Sequence, residues 1–427
     1  MKLHIKNFRS IRELDMELAP ITVLYGHNGT GKSSALYAPL TLKNIVTNPN
    51  QHVQGFFNYG FTSLGEFSEV IFDHNPNNEL ELGITIELPN EEKSRTEGFV
   101  IDSELKYRVA CLKDANGSFQ IGITEENRDA PELSKDMLRE TLPVKFPYKS
   151  RNHDQVVGID EYNRIFGWNG ISAYDVTPTP YDEGAPLPAE LKYVSETTID
   201  LVNLPAKELT RVSFVPLGRG FFQPIYSLGY ERNGSSIRSV EQEVTNLLAN
   251  NRRLEYDINH RMEQILNKNF RIRNQIGSSD FSLDSIDRQS RVAASLVNEG
   301  FGVNQLVYML AKVLHPDSGI VCIEEPEIHL HPTAIRRLAR TLADIVQEEP
   351  TKHLIISTHS EQFILSLLAL VAEDTYSPDN LAIYHVTKKG KESEFHRQQV
   401  NENGQVEGGL ATFMEGELED MKAFLGV

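Results

Sequence analysis

Tyr25-Gly26-His27-Asn28-Gly29-Thr30-Gly31-Lys32-Ser33-Ser34 fits the phosphate-binding loop G-x-x-x-x-G-K-[ST] at every fixed position. The apolar run Ile21-Thr22-Val23-Leu24-Tyr25 before it reads as a buried strand. Residues 33–40 read as the opening of a helix that Pro39 interrupts or kinks. Strand, loop and helix in this order separate a working phosphate loop from a glycine-rich turn with no ligand. The glycines permit positive φ angles, so successive backbone N–H groups can curl around phosphate oxygens. The new helix adds free N–H groups and the positive end of its dipole. On this reading Gly26, Asn28, Gly29, Thr30, Gly31, Lys32, Ser33 and Ser34 hold the nucleotide phosphates. Lys32 supplies a point charge to the β- and γ-phosphates, and the Ser33 hydroxyl ligates Mg²⁺.

Ile320-Val321-Cys322-Ile323-Glu324-Glu325-Pro326-Glu327 is the second informative stretch. Four apolar residues and then two acids place carboxylates at the carboxyl end of a buried strand, where open α/β sheets bind ligands. One carboxylate, Glu324, suits the Mg²⁺ shell, since that ion takes few protein ligands. The next, Glu325, can polarise an attacking water or accept its proton. The bland alternative is an acidic surface turn. Ser357-Thr358-His359-Ser360 closes a further strand, from which His359 can hydrogen-bond a γ-phosphate. Asn298-Glu299-Gly300-Phe301-Gly302-Val303-Asn304-Gln305 precedes a helix and offers a second anion site at its N-terminus; alone, it would read better as a plain loop. One nucleotide does not need two such sites from one chain. Two chains arranged head to tail would each lend this segment to the other.

Around these motifs, residues 2–8 alternate as a first strand, and Leu14, Met16 and Leu18 as a second, antiparallel to it. Strands are expected at 79–88, 107–112 and 119–123, with Asn116-Gly117 signalling a hairpin between the last two. Residues 126–208 lose this regularity, carry Pro178, Pro180, Pro186 and Pro188, and hold the one tryptophan, Trp168. Residues 212–216 read as a strand returning to the core. From 238 to 267 the spacing of Val240, Val244, Leu247, Leu254, Ile258 and Ile265 is heptad-like, broken at Asn251 and Arg261. One continuous helix there would run about 45 Å. It would pack on its own domain, or else form a short arm that meets a second protomer. Helices at 305–314, 333–347 and 361–370 alternate with strands at 319–324, 353–357 and 381–386, which means a parallel sheet with helical crossovers. The expected fold class is α/β: a mixed sheet with phosphate loop, an antiparallel β lobe, a helical arm and an irregular insertion. The expected divisions are 1–125, 126–208, 209–300 and 301–427.

Composition narrows the function classes. With 40% hydrophobic and 24% charged residues over 427 positions, the chain can bury one large or two medium cores. No apolar run approaches a membrane span and no signal-peptide pattern opens the chain, so no membrane partner and a cytoplasmic location are expected. Cys111 and Cys322 define no disulfide framework. A net charge of −18 argues against broad, sequence-blind nucleic-acid binding, while a local basic groove stays open. His329 and His331, a His-x-His pair beside carboxylates, suggest zinc, but the tetrahedral ligand set is incomplete.

The phosphate loop, the Gly300-Phe301-Gly302-Val303-Asn304-Gln305 segment, the Glu-Glu-Pro-Glu strand end and the Ser-Thr-His-Ser strand end together resemble ABC-type ATPases of the SMC/RecF and OLD (overcoming lysogenisation defect) group. The opening Ile5-Lys6-Asn7-Phe8-Arg9-Ser10-Ile11 is similar to their first strand. Glu325-Pro326-Glu327-Ile328-His329-Leu330-His331-Pro332 resembles the OLD-like branch and its short "AAA" relatives. The resemblance implies ATP and Mg²⁺ as ligands, Glu324 as the Walker B acid, Glu325 as the catalytic glutamate and His359 as the switch histidine. It makes Gly300, Gly302 and Gln305 the signature segment offered in trans within an ATP-dependent homodimer or higher homo-oligomer. Glu324 stands where many relatives have Asp, the usual Leu-Ser-Gly-Gly order is missing, and Glu299 would bring negative charge close to the γ-phosphate, so slow hydrolysis is expected. Arg219, in Pro216-Leu217-Gly218-Arg219-Gly220, resembles a Pro-x-Arg segment of these ATPases, with no role assigned. The expected function is a sensor or scaffold ATPase controlling a separate protein effector, a nuclease or toxin, in defence against phage. The alternative is a self-contained OLD-like nuclease or a DNA-repair ATPase. Full-length OLD proteins carry a Toprim domain that needs a glutamate and an Asp-x-Asp, and no Asp-x-Asp follows Glu325 in this sequence. A small-molecule kinase and a transporter ATPase fit the signature segment and the opening strand less well.

Overall fold

The computed structural model describes residues 1–48, 53–87, 104–111, 119–124, 144–146, 155–159, 165–168, 173–175, 196–227, 240–275 and 277–410. In chain order, β1 (Lys2–Phe8), β2 (Ile11–Glu17) and β3 (Ile21–Tyr25) lead into α1 (Lys32–Thr47). Then come β4 (Leu80–Glu87), β5 (Glu104–Cys111), β6 (Phe119–Thr124), β7 (Val144–Phe146), β8 (Gln155–Ile159), β9 (Ile165–Trp168), β10 (Ala173–Asp175) and α2 (Glu196–Thr210). The chain continues through β11 (Ser213–Val215), β12 (Tyr226–Ser227), α3 (Val240–Asn250), α4 (Arg252–Leu266), β13 (Lys268–Asn274), β14 (Asp280–Asp287) and β15 (Ala293–Ser295). It closes with α5 (Phe301–Val313), β16 (Ile320–Glu324), α6 (Pro332–Glu348), β17 (His353–Thr358), α7 (Glu361–Ala372), β18 (Leu381–Lys389) and β19 (Glu392–Gln398). This is a mixed α/β protein of two compact units. One comprises Met1–Glu17, Thr41–Phe57 and Leu64–Thr210; the other comprises Leu18–Leu40, Asn58–Ser63 and Arg211–Val427.

The first unit is built on the antiparallel sheet β2-β1-β4-β5-β6-β7. Alternation sets its register: Leu3 lies opposite Met16 and Ile84, and Ile5 opposite Leu14 and Leu82. Leu3, Ile5, Met16, Leu82 and Ile84 are buried, so a one-residue slip would expose the whole apolar face. β5 and β6 pair antiparallel as a hairpin requires, although Asn116-Gly117 itself lies outside the described residues. Within 126–208 the described residues make β7, a separate sheet β10-β9-β8 with Trp168 on its middle strand, and most of α2.

The second unit holds the sheet β11-β16-β17-β3-β18-β19. β11, β16, β17, β3 and β18 are parallel, and β19 turns back antiparallel at the edge. Ile320, Val321, Cys322 and Ile323, with Leu354, Ile355 and Ile356, are at most 1% exposed, as strands covered on both faces demand. Cys322 is a core residue whose thiol pKa burial pushes up. No helix among the described residues is long and apolar enough to cross a membrane.

Two helix expectations are corrected. Pro39 does not end α1, which continues to Thr47. The proline removes one donor, but Leu36, Ala38, Leu42 and Ile45 on both sides of it are buried, and that packing outweighs the lost bond. The long helix at 238–267 is two helices. Asn251 takes φ −130° and caps α4 by accepting from Leu254 N–H at 3.0 Å. Asparagine competes for backbone groups in this way, which suits caps and breaks helix interiors. Val244, Leu248, Leu254, Ile258, Met262 and Ile265 then pack into the core of their own unit, and buried Arg261 pairs with Glu348. Replacing Asn251 by Ala removes the cap and should cost about 1 kcal/mol. A lower Tm in calorimetry is expected, and an unchanged Tm would show that the cap contributes nothing.

Candidate functional site

The motifs leave the sheet along one edge. Strand register pairs Tyr25 with Thr358 and Glu324 with Ser357. The phosphate loop after β3, the acids ending β16 and His359 just beyond β17 therefore emerge together at the carboxyl edge, where ligands sit in open α/β sheets.

Sterics shape the loop. Gly26 has φ +140°, and a Cβ there would stand 2.2 Å from the Val386 carbonyl oxygen, so no other residue fits. Gly31, at φ 108°, turns the chain into α1. Helical bonding begins with Ser34 and Ala35 N–H on Gly31 O, at 3.0 and 3.3 Å, leaving earlier amides at the open helix end. His27, Asn28 and Gly29 form an exposed crown, and Thr30 Oγ1 fastens it by donating to His27 O at 2.9 Å. Ser33 is half-buried and Ser34 is buried. Lys32 Nζ folds back and donates to Gly26 O and His27 O, each at 2.8 Å. Burial lowers the Lys32 pKa to about 8, opposed by the Glu325 carboxylate.

Glu325 Oε1 lies 3.7 Å from His359 Nε2. Burial lowers the His359 pKa, the nearby Lys32 charge lowers it further, and Glu325 opposes both. Burial and Lys32 thus favour the neutral imidazole, which has one donating and one accepting nitrogen. Glu324 Oε2 accepts from Leu217 N–H at 3.2 Å. The Ser33 hydroxyl and the Glu324 carboxylate are hard oxygen donors at the same sheet edge, a donor set that fits Mg²⁺ with water completing its shell. Among the described residues no group of three or more His, Cys, Asp or Glu could hold a metal alone.

The zinc alternative for the histidine pair finds no support. His331 caps α6, accepting from Thr333 N–H at 3.3 Å. His329 packs its ring 5.4 Å from that of Phe301 and sets Nδ1 3.3 Å from Gln305 Oε1.

The glycine segment sits at the start of α5. Gly300 is its N-cap, with open space where a Cβ would go. Gly302 lies against the turn after the acids, and a Cβ there would stand 2.4 Å from His329 O. Gln305 is 7% exposed and faces His329. Gly302 and Gln305 thus have partners within the chain, and Gly300 remains open. Glu299 departs from expectation. Its carboxylate accepts from Lys268 Nζ at 2.9 Å and from the Ser285 hydroxyl, so its negative charge is neutralised within the chain.

Two residues given no role from sequence are tied into this edge. Arg219, 2% exposed, donates from Nη1 to Glu324 O at 2.7 Å and from Nη2 to Glu325 O at 2.8 Å. Burial lowers its pKa to about 10, opposed by the Glu327, Glu324 and Glu325 carboxylates. Glu327 Oε1 accepts from Thr358 Oγ1 at 2.6 Å and from His359 N–H at 3.0 Å. An arginine flanked by glycines, and a third acid after a strand-ending pair, were the signals available in the sequence.

The AAA ATPase domain family matches residues 1–155 and 209–364. The chain is similar to the OLD nuclease of Thermus scotoductus, with 22% identity over 403 residues. That alignment covers 91% of this chain and 65% of the relative, so the chain spans about two thirds of the relative's length. Among solved structures, an SMC head bound to the C-winged helix domain of ScpA aligns at 11% identity and a TM-score of 0.49, covering 93% of this chain and 97% of that one. The SMC head domain from Thermotoga maritima aligns at 12% identity and a TM-score of 0.44, with the same coverages of 93% and 97%.

Proposed function

The chain belongs to the AAA ATPase domain family, and on that premise we propose that it binds ATP at the phosphate loop, dimerises around it, and uses slow turnover to control a separate protein effector. The observation that carries the ATPase reading is the convergence of Lys32, Glu325 and His359 on one sheet edge, with Glu325 and His359 3.7 Å apart. The loop from Gly26 to Ser34 wraps the phosphates, and Lys32 exchanges the Gly26 and His27 carbonyls for β- and γ-phosphate oxygens. Ser33 and Glu324 would hold Mg²⁺, which neutralises phosphate charge when bound. Glu325 accepts the proton of a water that attacks the γ-phosphorus as the bond to the bridging oxygen breaks. His359 donates to a γ-phosphate oxygen and stabilises the charge that accumulates there. The open Gly300 end of α5 is the part a second copy would lend to this nucleotide.

The effector is the further part of the proposal. Turnover without coupled chemistry would be futile, so ATP binding should drive a conformational change that another molecule reads. The similarity to an OLD nuclease supports nuclease chemistry in that partner, and we propose defence against phage as the setting. The net charge of −18 favours a protein surface over a long stretch of DNA. Residues 126–208 and helices α3 and α4 are the proposed docking surfaces. The same relative favours a second reading, a built-in nuclease. Purified protein should hydrolyse ATP slowly and leave DNA and RNA uncut with Mg²⁺ or Mn²⁺. It should also co-purify with the product of a neighbouring gene from its native host. Metal-dependent cleavage abolished by mutating an acid other than Glu324 and Glu325 would establish the nuclease instead.

A further inference from the structure

Beside the Glu325–His359 pair lie buried Arg219 and half-buried Glu327, whose hydrogen bonds go to neither the phosphate loop nor the proposed metal ligands' carboxylates. Arg219 spends its planar fork on three main-chain carbonyls: Nη1 on Glu324 O at 2.7 Å and Pro216 O at 3.1 Å, Nη2 on Glu325 O at 2.8 Å. Glu325 N–H donates to Ser357 O at 2.8 Å, so this residue is held by its amide and by its carbonyl. That restraint has work to do. Glu325 has φ +41°, a left-handed conformation that is strained for a non-glycine residue. Successive strand residues point to opposite faces, and the left-handed turn ends that alternation immediately after Glu324. Glu327 performs the matching task on the neighbouring strand, since its Oε1 binds the Thr358 hydroxyl and the His359 amide. Asn304 extends the frame: its side chain exchanges two hydrogen bonds with the Phe221 main chain, at 2.7 and 2.8 Å, joining the Arg219 loop to α5.

We propose that Arg219 and Glu327 are positioning residues, Arg219 holding the main chain of Glu324 and Glu325 and Glu327 that of His359, so that general base and γ-phosphate donor stay in register. The proposal rests on the ATPase reading. Wild-type turnover that is lost in Glu325→Gln tests that reading separately.

With turnover established, Arg219→Lys and Glu327→Leu are each measured for kcat, KM and ADP affinity, the last by calorimetry. Lysine keeps the charge but cannot fork onto three carbonyls. Displacement of a catalytic group by about 1 Å can cost on the order of 100-fold, so kcat should fall about 10- to 100-fold in both variants. KM and ADP affinity should stay within about threefold, because neither residue reaches the nucleotide. Glu327→Gln retains an acceptor oxygen for both donors and should restore kcat to within about threefold of wild type. In a Glu325→Gln background, Arg219→Lys should lower the residual rate by much less than it lowers the wild-type rate, since the general base among the two residues it holds is already gone. Wild-type kcat in Arg219→Lys, an ADP-affinity loss as large as the kcat loss, or an equally large loss without Glu325 would each overturn the proposal for Arg219. Should Arg219→Lys not fold, the Glu327 pair decides: full kcat in Glu327→Leu, or no rescue in Glu327→Gln, overturns it.

Discussion

Lys32→Ala should strongly weaken ATP binding while leaving the fold intact. Lys32 is 6% exposed and its ammonium is held over the loop by the Gly26 and His27 carbonyls, so water cannot take its place at the phosphates. A unit charge about 4 Å from another is worth about 4 kcal/mol at the effective dielectric of a protein surface. Losing it should weaken ATP·Mg²⁺ binding by about 100- to 1,000-fold, at about 1.4 kcal/mol per tenfold. Alanine is the best helix former, and position 32 opens α1, so Tm should hold. The depressed lysine pKa adds a pH dependence whose sign follows from linkage. In the free protein Lys32 is charged below about pH 8 and loses its proton above it. Bound phosphate favours the charged form, so ATP binding takes up a proton above that pH, and affinity falls as pH rises. Calorimetry across pH measures both effects. An unchanged Kd for Lys32→Ala would remove the phosphate-loop assignment.

Glu325→Gln should arrest turnover with ATP still bound. The amide keeps the side chain's shape but cannot accept the water's proton, and loss of a general base costs on the order of 100- to 10,000-fold in rate. The ATP-bound dimer should then accumulate, visible as doubled mass by light scattering with ATP and single mass without it. Sharing of sites between copies is tested by mixing two inactive variants, Lys32→Ala and Gly300→Asp. Gly300 is the appropriate partner because open space surrounds it, whereas a side chain at Gly302 would meet His329 O at 2.4 Å and disturb its own chain. A mixed dimer contains one site with an intact phosphate loop and an intact glycine segment, so part of the ATPase activity should return. No recovery at any ratio, with mixed dimers demonstrably formed, would exclude head-to-tail sharing.

The phosphate loop and the acid-ended strand were legible in the amino acids because each is local. Three glycines, one lysine and two serines create the loop geometry within ten residues. Four apolar residues before Glu324 bury a strand and deliver its carboxylate to the sheet edge. Alternation likewise announced β1, β2 and β4 and the antiparallel pairing of β1 with β2, while the pairing of β4 with β1 came from the structure. Elsewhere two local signals competed, and burial chose between them. Pro39 forbids one helical bond yet α1 continues, whereas Asn251 forbids none and α4 starts there. What folding alone settled involves residues far apart in the chain. The Glu299 charge is cancelled by Lys268, 31 residues away, and Gly302 is small because the His329 carbonyl crosses it. Arg219 reaches the Glu324 carbonyl 105 residues later. A side chain that binds another segment's main chain leaves no period or motif in its own neighbourhood, because main-chain carbonyls are the same at every residue. Only the parallel register of β11 against β16, which places the end of one beside the end of the other, gives that arginine its task.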